Sequence, residues 1–146
     1  MSDFNTTMAI AGSGMSAERL RLNLVASNLA NANTTRTAEG GPYKRKDAIF
    51  RAAPLEESFP KMLGQTLGSN VATVQVEGVV QDQSPPRTVY DPDHPDADAQ
   101  GYVQLPNVDV VEEMVNLITA TRSYAANATV LESAKQMASR AIDLLR

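Results

Sequence analysis

The chain has 146 residues, 13 Lys and Arg against 17 Asp and Glu, and a formal net charge of −4, a balance that gives no case for nucleic-acid binding. It has no cysteine, which excludes disulfides, thiolate chemistry and zinc–thiolate sites, and no run approaches the ~20 apolar residues needed to span a bilayer. Aromatic content is 5%, with three Phe and no Trp, so a globular core would be thin for the length, while plentiful alanine suits close helix contact.

The N-terminus, Met1-Ser2-Asp3-Phe4, lacks the basic start and apolar run of a cleaved signal peptide. This predicts either a cytosolic protein or export by a route that uses no such peptide. Residues 4 to 32 then read as a helix of about 27 residues. Phe4, Met8, Ala11 and Met15 step by four, three and four, and Leu22, Val25, Leu29 and Ala32 resume the phase after Glu18. Leu20 and Leu24 widen the apolar face. Gly12 and Gly14 each weaken a helix by roughly 1 kcal/mol, which predicts a break or fraying in its first half.

Asn23, Asn28, Asn31 and Asn33 crowd the second half, although Asn side chains compete for backbone hydrogen bonds. Asn31 and Asn33 suit a helix end, with Thr34 and Thr35 in the following turn. Asn28 lies between Val25 and Leu29 near the apolar face, and a buried Asn in a helix seam fixes register and partner number at a cost in stability. Asn28 and Asn31 are therefore expected to make cross-helix hydrogen bonds.

From Arg36 to Pro60 the periodicity is lost. Gly40-Gly41-Pro42 is a turn signal. Tyr43-Lys44-Arg45-Lys46 is a short basic patch that reads as a solvated turn or strand start rather than an anion site. Ala48-Ile49-Phe50 suits a short strand, and Pro54 to Pro60 a mobile loop. Met62 to Leu67 is too short to assign. From Val71 to Asp82 the period becomes two, with Ala72, Val74, Val76 and Val80 on one face, which predicts a half-buried strand with Gly78 as a bulge. Ser84-Pro85-Pro86 turns the chain. Thr88-Val89-Tyr90 and Tyr102-Val103-Gln104-Leu105 complete an expected three-stranded antiparallel sheet.

Between them, Asp91-Pro92-Asp93-His94-Pro95-Asp96-Ala97-Asp98 clusters carboxylates. An EF-hand loop needs oxygen ligands at positions one, three and five, Gly at six and Glu at twelve; counted from Asp91 those last three are Pro95, Asp96 and Tyr102. A proline-stiffened surface turn is the better reading. His94 alone makes neither a zinc site nor a catalytic dyad. No nucleophile, acid–base pair or phosphate loop emerges, so no enzyme, cofactor or metal is expected.

Asn107 to Arg146 contains neither Gly nor Pro and predicts one long helix, opened by a capping box from Asp109 to Glu112. Its stripe runs Val110, Met114, Leu117, Thr121, Tyr124, Ala128, Leu131, then Ala134, Ala138, Ala141 and Leu145. The fold class is thus mainly α with a small β region. Residues 1–35 and 107–146 form a terminal-helix domain, paired like a coiled coil through Leu22, Val25, Asn28, Leu29, Asn31, Met114, Leu117, Tyr124 and Leu131. Residues 36–106 form a central loop and small antiparallel β insert. A pair of helices covers only one face of each, which leaves apolar surface for neighbouring chains.

The run Ser27-Asn28-Leu29-Ala30-Asn31-Ala32-Asn33-Thr34-Thr35 resembles the N-terminal signature of the bacterial flagellar rod and hook axial proteins. Gly40 to Arg45 with Tyr43, Ser84-Pro85, Tyr90-Asp91-Pro92-Asp93-His94-Pro95, Gly101-Tyr102-Val103, Pro106-Asn107-Val108, Glu112 to Val115 and Arg122-Ser123-Tyr124 extend the likeness in order along the chain, toward proximal-rod members. The resemblance implies a structural subunit exported unfolded by the flagellar type III apparatus, with Phe4 and Met8 as a candidate export signal. It implies assembly in the periplasmic space into a helical tube lined by the terminal helices, which transmits torque and forms the export channel. The implied partners are its own copies, other rod subunits, the export apparatus and membrane-ring junction proteins, with no nucleic acid and no membrane insertion. The terminal helices are expected to be ordered mainly by neighbours. The competing readings are a helical-hairpin binding module using Tyr43 to Lys46 or the acidic turn, and a metal-dependent enzyme built on Asp91 to Asp98.

Overall fold

The computed structural model describes residues 2–54 and 71–143. Two long helices bracket four strands: α1 (Ser2–Ala30), β1 (Lys46–Pro54), β2 (Ala72–Gln81), β3 (Arg87–Tyr90), β4 (Tyr102–Leu105) and α2 (Val110–Asp143). This is the expected class of two terminal helices with antiparallel strands between them. The expected loop at Glu56 to Pro60, the segment Met62 to Leu67 and the end of the stripe at Leu145 lie outside the described residues.

The helix α1 runs 29 residues without interruption, so the expected break at Gly12 and Gly14 does not occur. Gly14 has a packing reason: a Cβ there would lie 2.7 Å from Nδ2 of Asn127, so the missing side chain is what lets Asn127 approach. At the other end, Asn31 N reaches both Ser27 O (3.1 Å) and Asn28 O (3.2 Å). Asn31 Nδ2 also donates to Ser27 O at 2.8 Å, which satisfies a last-turn carbonyl that the helix leaves over.

Helix α2 spans 34 residues. Asp109 caps it: Oδ1 accepts from Val111 N (2.8 Å) and Glu112 N (3.2 Å), the N-cap arrangement the sequence signalled. The stripe it presents to the chain is another matter. Glu113, Ala120 and Ala134 are buried and Leu117, Asn127, Leu131 and Ala138 half-buried, while Val110, Met114, Thr121 and Tyr124 are exposed. The first half of the covered face is therefore shifted about one residue from the expected one, and small and polar side chains occupy it. The reason is spacing: helices in close contact accept Ala and Asn more readily than Met or Tyr.

The strands form two two-stranded sheets, β1–β2 and β3–β4, rather than one of three strands. β1 is longer than the expected Ala48 to Phe50 and takes in Pro54. Thr73 Oγ1 donates to Ala53 O (3.1 Å) and Asp82 N to Arg45 O (2.8 Å), so β1 and β2 run antiparallel. β2 is not half-buried: Val74, Val76, Val79 and Val80 are all exposed, and the strand passes through Gly78. In the second sheet Arg87 faces Leu105 and Tyr90 faces Tyr102, with the two tyrosine rings edge to face at 5.3 Å. The turn that joins β3 and β4 closes at Gly101, whose φ of +83° and 2.9 Å approach of the Tyr90 ring to its missing Cβ require glycine.

Contacts group the chain into two compact units. The first comprises Met1–Leu20, Ile49–Gly78 and Thr121–Arg146; the second comprises Arg21–Ala48 and Val79–Ala120. Among the described residues, the buried side chains of the first unit are Ala11, Ala17, Ala53 and Ala134. Those of the second include Val25, Asn28, Ala32, Tyr43, Val103, Pro106, Val108, Glu113 and Ala120, with Ala32, Tyr43 and Val108 clustered together.

Candidate functional site

The densest polar construction lies in the second unit, where the end of α1, the residues leading into β1 and the start of α2 meet. Asn28 is 1% exposed, and its amide uses its full capacity. Nδ2 donates to Lys46 O (2.9 Å) and to Glu113 Oε2 (3.1 Å). Oδ1 accepts from Lys46 N (2.9 Å) and Tyr43 OH (2.9 Å). The side chain pairs with Lys46 as a neighbouring strand would, and so satisfies both backbone groups at the start of β1.

Glu113 is 0% exposed, yet it is an acid in a helix first turn. Its Oε1 accepts from Arg45 Nε at 2.7 Å, a charge-assisted bond of the short, strong kind. Arg45 also reaches Asp47 Oδ2 at 3.2 Å. Burial would by itself lower the pKa of Arg45, but the hydrogen bonds and charges of Glu113, then Asp47, outweigh it and hold the guanidinium above its ordinary value. Arg45 therefore stays charged at any working pH. Tyr43, stacked by the Lys46 ammonium at 5.8 Å, lies 3.3 Å from Ser27 Oγ and donates its N–H to Thr34 O at 3.1 Å.

The residues singled out from sequence fall into three groups. Ser27, Asn28, Thr34 and Tyr43 come together in this network, with Val25 buried nearby on α1 and Leu22, Leu29 and Leu117 half-buried. Asn31 lies beside them, but its side chain bonds only Ser27 O and Thr34 Oγ1 within its own segment; it ends the helix instead of crossing to the other. Ala30, Met114 and Tyr124 are exposed, and Leu131 is half-buried in the first unit, as are Phe4 and Met8.

The signature run Tyr90, Asp91, Pro92, His94 and Pro95 builds the β3–β4 turn. Asp98 Oδ1 accepts from Gln100 N and Tyr102 N, His94 Nδ1 accepts from Asp96 N at 3.1 Å, and Asp96 Oδ2 accepts from Thr35 Oγ1 at 2.7 Å. Asp98 Oδ1 is thus spent on the turn itself, while Asp96 ties the turn to Thr35 and Arg36. Among the described residues no group of three or more His, Cys, Asp or Glu is placed to hold a metal ion.

Two residues of the network were not singled out individually from sequence, Glu113 and Arg45. A first-turn Glu ordinarily reads as a helix-dipole partner, and Arg45 as one member of a basic run. Their pairing spans 68 residues, which no local pattern reveals. The oddity that did point here was Asn28.

A cleft of about 330 Å³ borders this network, lined by Thr37, Glu39, Tyr43, Lys44, Lys46 and Gln81 among others. What the arrangement does is hold three chain segments in register. On α2 the opposite face is apolar and open: Val111 is 71% exposed, Val115 57% and Ile118 54%, at helical spacing.

Residues 8–36 match the family "Flagella basal body rod protein" and residues 99–144 match "Flagellar basal body rod FlgEFG protein C-terminal", so the matches hold α1 with its Asn-rich end and β4 with α2. The flagellar basal-body rod protein FlgC of Borreliella burgdorferi is 40% identical over 97% of both chains. That of Salmonella typhimurium is 45% identical over 92% of both, and that of Bacillus subtilis 41% identical over 94% of this chain and 95% of its own. The chain belongs to the FlgC family of flagellar basal-body rod proteins, structural and non-enzymatic subunits of the rod.

Proposed function

We propose that this subunit occupies the proximal part of the rod, in the periplasmic space, and that residues 1–35 and 107–146 are its axial core. Copies and other rod subunits meet through these helices, which surround the export channel and carry torque between the membrane-ring junction and the parts beyond. The export apparatus would recognise the chain near Phe4 and Met8. The observation that carries this reading is the open face of α2. Val111, Met114, Val115 and Ile118 in the second unit, and Tyr124 in the first, are exposed apolar or aromatic side chains on a helix whose other face is already covered. A contiguous apolar face on a subunit of an assembly marks an association surface.

The chain has no cysteine, so single cysteines report contacts without background. Val115→Cys and Ile118→Cys, introduced in cells that build flagella, should give disulfide or bismaleimide crosslinks to another rod subunit or a second copy. Ala38→Cys, on the exposed turn before Gly40, should give fewer. Equal crosslinking from all three positions, or none from α2 in motile cells, would overturn the assignment of this face.

A further inference from the structure

The β3–β4 sheet turns one face in and one face out. Along β4 the alternation buries Val103 and leaves Tyr102 and Gln104 exposed. The register sets Tyr90 opposite Tyr102 and Thr88 opposite Gln104 on that outer face. Tyr90 is 64% exposed and Tyr102 44%, and their edge-to-face contact fixes the rings without covering them. Beside Tyr102 and Gln104 opens a cleft of about 250 Å³, lined also by Thr35, Arg36, Asp96 and Asp98. Its polar groups are held in place and only partly used. Asp98 Oδ1 accepts from Gln100 N and Tyr102 N, which fixes the carboxylate and leaves Oδ2 without a hydrogen bond among the described residues. Arg36 reaches Asp96 only at 3.8 Å, so most of its five donors stay open. The Gln104 amide and the Tyr102 hydroxyl likewise make no hydrogen bond to the described residues.

Two carboxylates face one guanidinium in this cleft, which disfavours an anion, and its polar lining disfavours a hydrocarbon. The chemistry that remains is a neutral ligand rich in hydroxyls. Carboxylate, guanidinium and amide groups bond neighbouring O–H groups, and an exposed tyrosine ring offers a flat apolar face to the C–H side of a sugar. The cleft is smaller than the ~300–1,000 Å³ of sites for drug-sized ligands, which suits one sugar ring, and Tyr90 extends the aromatic surface beside it. We propose that this cleft and the outer face of β3–β4 bind a pyranose unit of a neutral glycan. Tyr102 stacks on the ring, Asp98 Oδ2 and Gln104 bond its hydroxyls, and Arg36 donates from the far side of the cleft. This goes beyond the rod assignment and does not rest on it.

Backbone amide NMR of the full chain, titrated with glucose, N-acetylglucosamine and the linear tetramer of each, tests it. Saturable shifts should centre on Arg36, Asp98, Tyr102 and Gln104. Equal affinity for a single sugar and its tetramer identifies a free sugar as the ligand; tighter binding of a tetramer identifies a chain, with Tyr90 under the next ring. Tyr102→Ala and Gln104→Ala should each weaken binding about fivefold, whereas Tyr102→Phe, which keeps the ring, should stay within about twofold of wild type. Gln104→Ala carries the test if Tyr102→Ala fails to fold. Absence of shifts at the solubility limit of all four sugars would overturn the proposal, as would binding that neither alanine variant weakens. So would protection of Gln104→Cys from maleimide in assembled basal bodies, because a neighbouring protein would then cover this face.

Discussion

The two units are built from the same two helices and the same β1–β2 hairpin, yet they solve packing differently. The first relies on close approach: Gly14 opens space for Asn127, Ser13 Oγ accepts from Val74 N at 3.1 Å, and alanines fill what is covered. The second relies on a buried ion pair and a saturated amide, with Tyr43, Val103 and Val108 around them. Close approach gives smooth, adaptable helix faces but little hydrophobic free energy per residue. Buried polar groups give a unique arrangement, because every alternative leaves one of them unsatisfied. A subunit that must join an assembly benefits from both, one part adaptable and one part fixed.

The sharpest way to break the contrast is Glu113→Ala. It leaves Arg45 and the Asn28 amide without their shared acceptor. Breaking a buried pair costs roughly 3–5 kcal/mol, and because about a fifth of the Arg45 side chain reaches solvent the expected loss is about 2–4 kcal/mol. A fall in the urea midpoint with the slope unchanged would show it; a midpoint within error of the wild type would mean the ion pair contributes nothing.

Asn28→Leu comes next. An Asn that fixes partner number in a helix seam would, when replaced, disturb partner choice. In the structure all four bonds of the Asn28 side chain lie within one chain, so the expected effect moves to the monomer. Lys46 N and O and the Tyr43 hydroxyl lose partners, at about 2–3 kcal/mol in total. Thermal unfolding of the isolated chain reads it, and unaltered stability with altered assembly would restore the original expectation.

A glycine pair probes the first unit. Gly12 has nothing within 4 Å of where a Cβ would stand, so Gly12→Ala should stabilise α1 by about 0.5–1 kcal/mol through helix propensity. Gly14→Ala offers the same gain but pushes on Asn127, and should stabilise less or not at all. Equal gains would show that Asn127 yields freely and that the close approach matters little.

The smallest effect lies at the turn after β2. Hydrogen bonds from Ser84 hold the Asp82 carboxyl below its usual pKa, with Arg45 adding a minor charge effect. A depressed folded pKa means the stability it contributes is present above the unfolded value of about 3.9 and is lost as pH falls through the folded one. Asp82→Ala should therefore be less stable than wild type at pH 7, with the gap closing below about pH 4. A gap that does not change with pH would assign the effect to something other than this carboxylate.

Much of the fold was legible. A stretch from Asn107 free of Gly and Pro, capped at Asp109, gives a helix because nothing local opposes it, and Asp109 does cap it. The period of two from Val71 gives β2, and the excess of Asn at the end of α1 marks the place where the polar network sits. Two glycines misled, because their helix cost is local whereas the space Gly14 leaves is used by a residue more than a hundred positions away.

The sequence by itself determined the helices, the positions of the four strands though not the full length of β1, the absence of thiol chemistry, and, through its signature runs, the family. Only tertiary structure decided which face of α2 turns inward, that the strands divide into two sheets, and that Glu113 is buried against Arg45 and Asn28. The reason is that periodicity reports that a helix has two faces, whereas the choice between them depends on how near its partner comes. A buried charge depends on a counter-charge that local spacing cannot locate.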